Sequence, residues 1–303
     1  MTTQILSLLR RRSRLVPAAF SLFGVLLGGP LLAQELDPSA LQPYTERIPT
    51  GFINWGEGYA EVVVDAVYDT QRFGGSHAKI RAIEDAEEKA DPAFYRLLRG
   101  INVDGSTRIA GNAALEDALR KMIPKRRSMT DRKTANMTMR TTFRLRLYGK
   151  RALAETIRAV ALSDAQPGAL SGTSGGSFTS VVFDASGTSL QTALFPRVLD
   201  EAGEVLYGPG DLSAKARIQA APVTYLVRSG AQVKRSGFTK KLAKDLGAHP
   251  LVLKVSKISG DFLADIVLRG GQEKRLAEAG VGDLLAAGKV YVLQTASADW
   301  TQK

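Results

Sequence analysis

Arg140, Arg144 and Arg146 lie in a stretch where apolar and polar residues alternate: Met139, Thr141, Phe143, Leu145 and Leu147 against Arg140, Thr142, Arg144, Arg146 and Tyr148. Side chains of a strand point to opposite faces in turn, so this spacing predicts a long strand over 134–148 with one apolar and one cationic face. Positions two apart on such a face are separated by about 6.6–7 Å, and a planar guanidinium can grip a carboxylate or a phosphate through two hydrogen bonds. Lys125, Arg126, Arg127, Arg132, Lys133, Lys150 and Arg151 add to the charge nearby. The chemistry on offer is adhesion to an acidic partner or an anionic surface. The plain alternative is a solvated sheet face, for which long charged side chains are commonplace.

A second candidate is the string Gly172-Thr173-Ser174-Gly175-Gly176-Ser177, which resembles the Gly-Asp-Ser-Gly-Gly nucleophile loop of chymotrypsin-like proteases. His77, Asp104 and Asp131 precede Ser174 in that family's order, so a secreted serine hydrolase using Ser174 is the rival reading. Against it, His77 opens an alanine-rich helical stretch, and the chain lacks the succession of short strands that two barrels require. A glycine-serine linker explains the same string. His77 and His249 show no paired metal-ligand spacing, and no metal is expected. Gly280 and Gly282 form an isolated GxG without the remainder of a dinucleotide or phosphate loop, so no cofactor is expected. Asn136-Met137-Thr138 matches a glycosylation triplet by pattern alone.

The address comes from the first 33 residues. Arg10, Arg11, Arg12 and Arg14 precede an apolar run from Leu15 to Ala33, and the first acidic residue is Glu35. This is the build of an export signal, with Ala33/Gln34 as the expected cleavage site and a periplasmic or outer-membrane-associated location for the mature protein. The run is close to the roughly 20 residues of a spanning helix, so an uncleaved anchor stays open, although Pro17, Gly24, Gly28, Gly29 and Pro30 suit processing better. With no cysteine the chain cannot be lipidated in the lipoprotein manner and has no disulfides. Its formal charge of +11 stays basic without the four signal arginines. After export, the polyanions it meets are lipopolysaccharide, anionic lipid and acidic faces of envelope proteins, which puts nucleic acid last among the partners.

These elements imply the frame. Gln34 to Pro49, with Pro38 and Pro43, reads as an extended leader (34–51), followed by an N-terminal region over 52–165. That region holds a strand ending near Tyr68 and a helix over 76–90 with Ala78, Ala82, Ala86 and Ala90 in one stripe. Asp91-Pro92 is expected to restart or kink that helix, and a further helix capped by Asn112 runs over 113–123. Gln166 to Ser177 reads as a Gly/Ser linker before a C-terminal region, 178–303. Strands are expected there near 180–184, 223–227, 251–255, 262–268 and 289–295, with helices over 230–246 and 272–287. Without a regular βαβ rhythm the fold class is α+β: two regions, each with helices packed on antiparallel or mixed sheets.

Two sets of residues together resemble a family of exported bacterial proteins, the Lpp-twenty lipoproteins with their flagellar relatives FlgP and the N-terminal part of FlgT. The first is Trp55-Gly56-Glu57-Gly58, the alanine-striped helix and Ile101-Asn102-Val103-Asp104. The second is Val182-Phe183-Asp184-Ala185, Ala193-Leu194-Phe195-Pro196-Arg197-Val198-Leu199-Asp200, Val205-Leu206-Tyr207-Gly208, His249-Pro250-Leu251-Val252 and Asp265-Ile266-Val267-Leu268. The resemblance implies a structural or assembly role at the cell envelope, in some relatives within rings around the flagellar motor, with self-association among the options. It implies no catalytic residues. The lipid-bearing cysteine of the lipoproteins is missing, so attachment through a partner or through Arg140, Arg144 and Arg146 takes its place. N-terminal sequencing of the protein recovered from a bacterial envelope fraction is expected to start at Gln34; a start at Met1 would count for the anchor.

Overall fold

The computed structural model describes residues 36–163, 165–229 and 237–295. The expected signal, its Ala33/Gln34 junction and the first part of the helix expected over 230–246 lie outside them. Short strands β1 (Leu41–Pro43) and β2 (Thr45–Ile48) are followed by β3 (Gly51–Asn54) and β4 (Tyr59–Val67). Helices α1 (Thr70–Phe73), α2 (Gly75–Leu98) and α3 (Ala113–Arg126) come next, then the hairpin β5 (Ser128–Ala135) and β6 (Thr138–Arg146), and α4 (Leu153–Ala161). β2 to β6 form an antiparallel sheet in the order β2-β3-β4-β6-β5. Ala78, Ala82, Ala86 and Ala90 are buried where α2 packs on β4, because side chains this small let the helix axis approach the sheet closely. Asn112 caps α3, accepting the Leu115 N–H at 3.2 Å.

The remaining chain builds two more sheets. Its strands are β7 (Ser180–Asp184), β8 (Val198–Leu199), β9 (Val205–Tyr207), β10 (Thr224–Arg228), β11 (Pro250–Lys254), β12 (Lys257–Ser259), β13 (Asp265–Val267) and β14 (Val290–Gln294). Between them run α5 (Ala214–Gln219), α6 (Gly237–Leu246), α7 (Gln272–Glu278) and α8 (Gly282–Ala286). A mixed sheet has the order β1-β10-β14-β7-β11, parallel except for β1; a small one has the order β12-β13-β8-β9. β7 and β14 are buried along their whole length, as expected for parallel strands covered on both faces. The fold is thus α+β, with helices packed on antiparallel and mixed sheets.

Several local expectations need correction. Asp91-Pro92 does not interrupt α2, which runs through Pro92 unbroken. Pro92 is on the exposed side, so the carbonyl its ring leaves unpaired can turn to water, and the Asp91 carboxylate pairs with Arg127 instead of capping. The strand expected over 134–148 is two strands: Asn136 and Met137, both at positive φ (47° and 60°), make the turn between β5 and β6. The helix expected over 272–287 is split by Gly280 at φ 60° into α7 and α8. The stretch read as a leader contributes β1, paired with β10, and β2, paired with β3.

The described residues fall in one compact unit, and the segment 166–177 runs inside it. The Gly168 N–H donates to Asp211 at 3.0 Å, and a side chain at Gly168 would strike the Leu206 carbonyl. Thr173 accepts the Gly282 N–H at the start of α8 at 3.0 Å. Residues 101–104 pair with 192–195: Leu194 and Phe195 donate their N–H groups to Asn102 and Val103 at 2.9 and 2.8 Å. Trp55 meets Tyr225 edge to face at 5.7 Å.

Beside this seam Asp265, fully buried, accepts the N–H groups of Gly105 (3.1 Å) and Arg197 (3.0 Å) and the Arg197 guanidinium at 3.0 and 2.5 Å. A Cβ on Gly105 would lie 2.3 Å from the Asp265 carboxylate. Removing one partner of a buried ion pair leaves a desolvated charge, so Arg197→Ala is expected to cost about 3 kcal/mol in urea denaturation. Gly105→Ala should also lower the denaturation midpoint.

Candidate functional site

The outward face of the antiparallel sheet carries the residues that the sequence singles out. Pairing in register puts Arg140 opposite Asp65, Arg144 opposite Glu61 and Arg146 opposite Tyr59, while Met139, Thr141, Phe143 and Leu145 are buried on the other side. The three arginines therefore share a face. Two of them are already engaged within the protein. Arg140 grips Asp65 through Nε and Nη2 at 2.8 and 2.7 Å, and this hydrogen-bonded pair holds the Asp65 carboxyl below its ordinary range. Arg144 donates to Glu61 Oε2 from Nη2 at 2.8 Å and from Nε at 3.2 Å, with its guanidinium 4.0 Å from the centroid of the Tyr59 ring. Lys133, opposite Arg140 on β5, pairs with Asp131 at 3.5 Å.

Arg146 has no carboxylate partner among the described residues, and neither does Arg47 of β2. Arg47 stands opposite Phe52 and covers its ring at 5.4 Å; Phe52 in turn meets Tyr59 edge to face at 5.9 Å. The face is thus a lattice of neutralised pairs with a locus of available positive charge at Arg47, Phe52, Tyr59 and Arg146. Arg47 escaped the sequence reading because Pro43 and Pro49 frame β2 and make it look like linker, and without Arg47 nothing singled out Phe52 and Tyr59. Thr45, Glu46, Arg47 and Ile48 carry no apolar period, since the inward Glu46 is itself charged, so no local pattern marks the strand.

Ser174 is exposed on the segment that packs against α8, and its hydroxyl makes no hydrogen bond to His77 or His249 among the described residues. No group of three His, Asp or Glu residues among them could hold a metal ion. A groove of about 380 Å³ between Trp55, Tyr148 and Tyr291 is edged by Glu57, Asp245, Lys241 and Lys289, with the two signs balanced. No described helix is long and apolar enough to cross a membrane.

The matched region begins with the first residue of β7 and ends just past β14, so it takes in the parallel strands and the small sheet. Residues 180–296 match the family model of Treponema pallidum Tp0624, second domain. This similarity to the Tp0624 second domain covers less than half of the chain. All of the second set of residues quoted above falls within it, whereas the cationic face does not. β1, which completes the sheet at β10, also lies outside it. No curated protein matches the chain.

The inner side of β2 carries one titratable group at the seam. Glu46 accepts a hydrogen bond from the Thr192 hydroxyl, and burial raises its carboxyl above the ordinary 4.5. An acid whose pKa is raised on folding favours the folded state below its unfolded value, and that stability is lost as pH rises through the folded pKa. Glu46→Gln, which keeps the acceptor for Thr192, is therefore expected to melt higher than wild type at pH 7. The difference should shrink toward zero below about pH 4.5 in calorimetric scans across pH.

Proposed function

We propose that this chain is an exported protein of the bacterial cell envelope with a structural or assembly role, docking through the outward sheet face onto an acidic surface of an envelope protein. The observation that carries the reading is the contrast within that face. Arg140 and Arg144 are occupied by Asp65 and Glu61, while Arg47 and Arg146, without carboxylates among the described residues, stand beside two half-buried aromatic rings, those of Phe52 and Tyr59. Arginine and aromatic side chains are enriched at the centres of protein interfaces and among the residues that carry most of the binding energy. A partner's carboxylates reach Arg47 and Arg146 without displacing an internal one; at Arg140 and Arg144 they must compete. The export signal read from residues 1–33 supports the address, and the resemblance to Lpp-twenty proteins and FlgP supports assembly over catalysis, with the surroundings of the flagellar motor as one setting.

Charge reversal at Arg47 and Arg146 leaves both internal ion pairs in place, which makes it the sharper test. Arg47→Glu with Arg146→Glu is expected to abolish co-purification of cross-linked envelope proteins and to release the chain into the soluble periplasmic fraction, with an unchanged melting temperature. Reversing Arg140, Arg144 and Arg146 together should have the same consequence for the partner and also lower the melting temperature. Unchanged fractionation and partner recovery in both variants would reject the reading. Retained partner recovery with lost sedimentation on anionic vesicles would assign the face to lipid instead.

A further inference from the structure

Where the sheet face pairs Arg140 and Arg144 with acids, a cavity on another part of the surface holds two arginines with no acid partner among the described residues. A cavity of about 230 Å³ lies between α4 and the chain around Pro209 and Gly210, with Arg158 and Arg217 in its wall. Arg158 donates from Nη1 to the Pro209 carbonyl at 2.9 Å, and its guanidinium covers the Phe195 ring at 4.7 Å. Arg217 donates from Nε to the Leu212 carbonyl at 2.8 Å and from Nη2 to the Gly210 carbonyl at 3.2 Å. All three acceptors are neutral main-chain oxygens. Among the described residues, neither guanidinium forms an ion pair, and the one carboxylate in the wall, Glu155, accepts the main-chain N–H of Arg151.

Two like charges therefore line one cavity, Arg158 half-buried and Arg217 exposed at its rim. Burial and the neighbouring Arg217 both pull the Arg158 guanidinium below its ordinary pKa, so an anion placed between the two would be favoured by both. Four arginines elsewhere in the fold meet acids: Arg127 with Asp91, Arg140 with Asp65, Arg144 with Glu61, Arg197 with Asp265. The carbonyl bonds fix both guanidinium planes and leave Arg158 Nε and Nη2 and Arg217 Nη1 as unused donors among the described residues. Fixed, divergent N–H donors around a small concave space are the arrangement that recognises a tetrahedral oxyanion.

We infer that the Arg158–Arg217 cavity is a binding site for a phosphate group, either free phosphate or the phosphomonoester end of a larger molecule. This site is separate from the sheet face and stands whether or not that face binds a protein. Both arginines are needed, one from each side of the cleft, so occupancy would also tie α4 to α5.

Titration calorimetry of the mature chain with inorganic phosphate in low-salt chloride buffer tests the proposal, beside vesicles with and without phosphatidic acid. Saturable one-site uptake is expected in wild type, at least tenfold weaker in Arg217→Gln. The same loss is expected in Ala159→Glu, which places a carboxylate at an exposed position in the cavity wall and keeps both arginines. Ala159→Glu should keep the wild-type circular dichroism spectrum, and phosphate should raise the melting temperature of wild type only. Vesicle binding that needs phosphatidic acid and is lost in the same variants would name the ester as the ligand; uptake of inorganic phosphate alone would name the free ion. No saturable uptake by wild type, or equal uptake by all variants, would overturn the proposal. Uptake appearing only in Asp164→Asn, a position outside the described residues, would overturn it too, by showing that the chain supplies its own counterion.

Discussion

A single buried carboxylate, that of Asp265, governs how the two halves of this protein meet. A charge withdrawn from water costs several kcal/mol unless its oxygens are saturated, and here the partners come from distant parts of the chain: the Gly105 N–H, the Arg197 N–H and the Arg197 guanidinium. The 104–107 turn, the Pro196-Arg197 corner and β13 must therefore arrive together. Strand-like pairing of 101–104 with 192–195 and the absence of a Cβ at Gly105 are what make that arrival sterically feasible. With the seam fixed, β4 and β6 present their polar side to solvent, since their apolar side is committed to α2.

The same seam explains why net charge is a poor guide to where this protein is sticky. The cationic stretch that the alternation singles out lies on β6, yet β4 answers Arg140 and Arg144 with Asp65 and Glu61 at matching heights, and the pairs cancel. What is left stands at the β2 end of the sheet, beside aromatic rings, and in the cleft between α4 and α5. Opposite charges facing across an antiparallel register also favour that register over a slipped one, so the pairs serve β4–β6 alignment as well as neutrality.

Much of this architecture is legible in one dimension where a single period dominates. Ala78, Ala82, Ala86 and Ala90 at every fourth residue, Met139 to Leu147 at every second, and the Asn112 cap specify α2, β6 and α3 without help from elsewhere. β5 is illegible for the opposite reason: an edge strand with both faces near water needs no apolar period, and Ser128 to Ala135 contains only Met129 as a large apolar residue. Pro92 misleads because its steric effect depends on whether the carbonyl one turn back faces water. The candidate site divides in the same way. Arg140, Arg144 and Arg146 are found by alternation, but which of them is available depends on β4, some eighty residues away, and no local pattern reports that.

The position of β14 in the mixed sheet has a consequence for how the molecule comes into being. The last described strand lies in the middle, between β10 and β7, and the first, β1, lies at the edge beyond β10. Assembly is then not a matter of adding layers as synthesis proceeds: β7 and β10 are not paired with each other and wait, open-edged, for a wedge that is made after both. A stop codon anywhere ahead of Val290 would not trim this half of the protein; it would remove its keystone and leave two bare strand edges, a substrate for proteases and for aggregation.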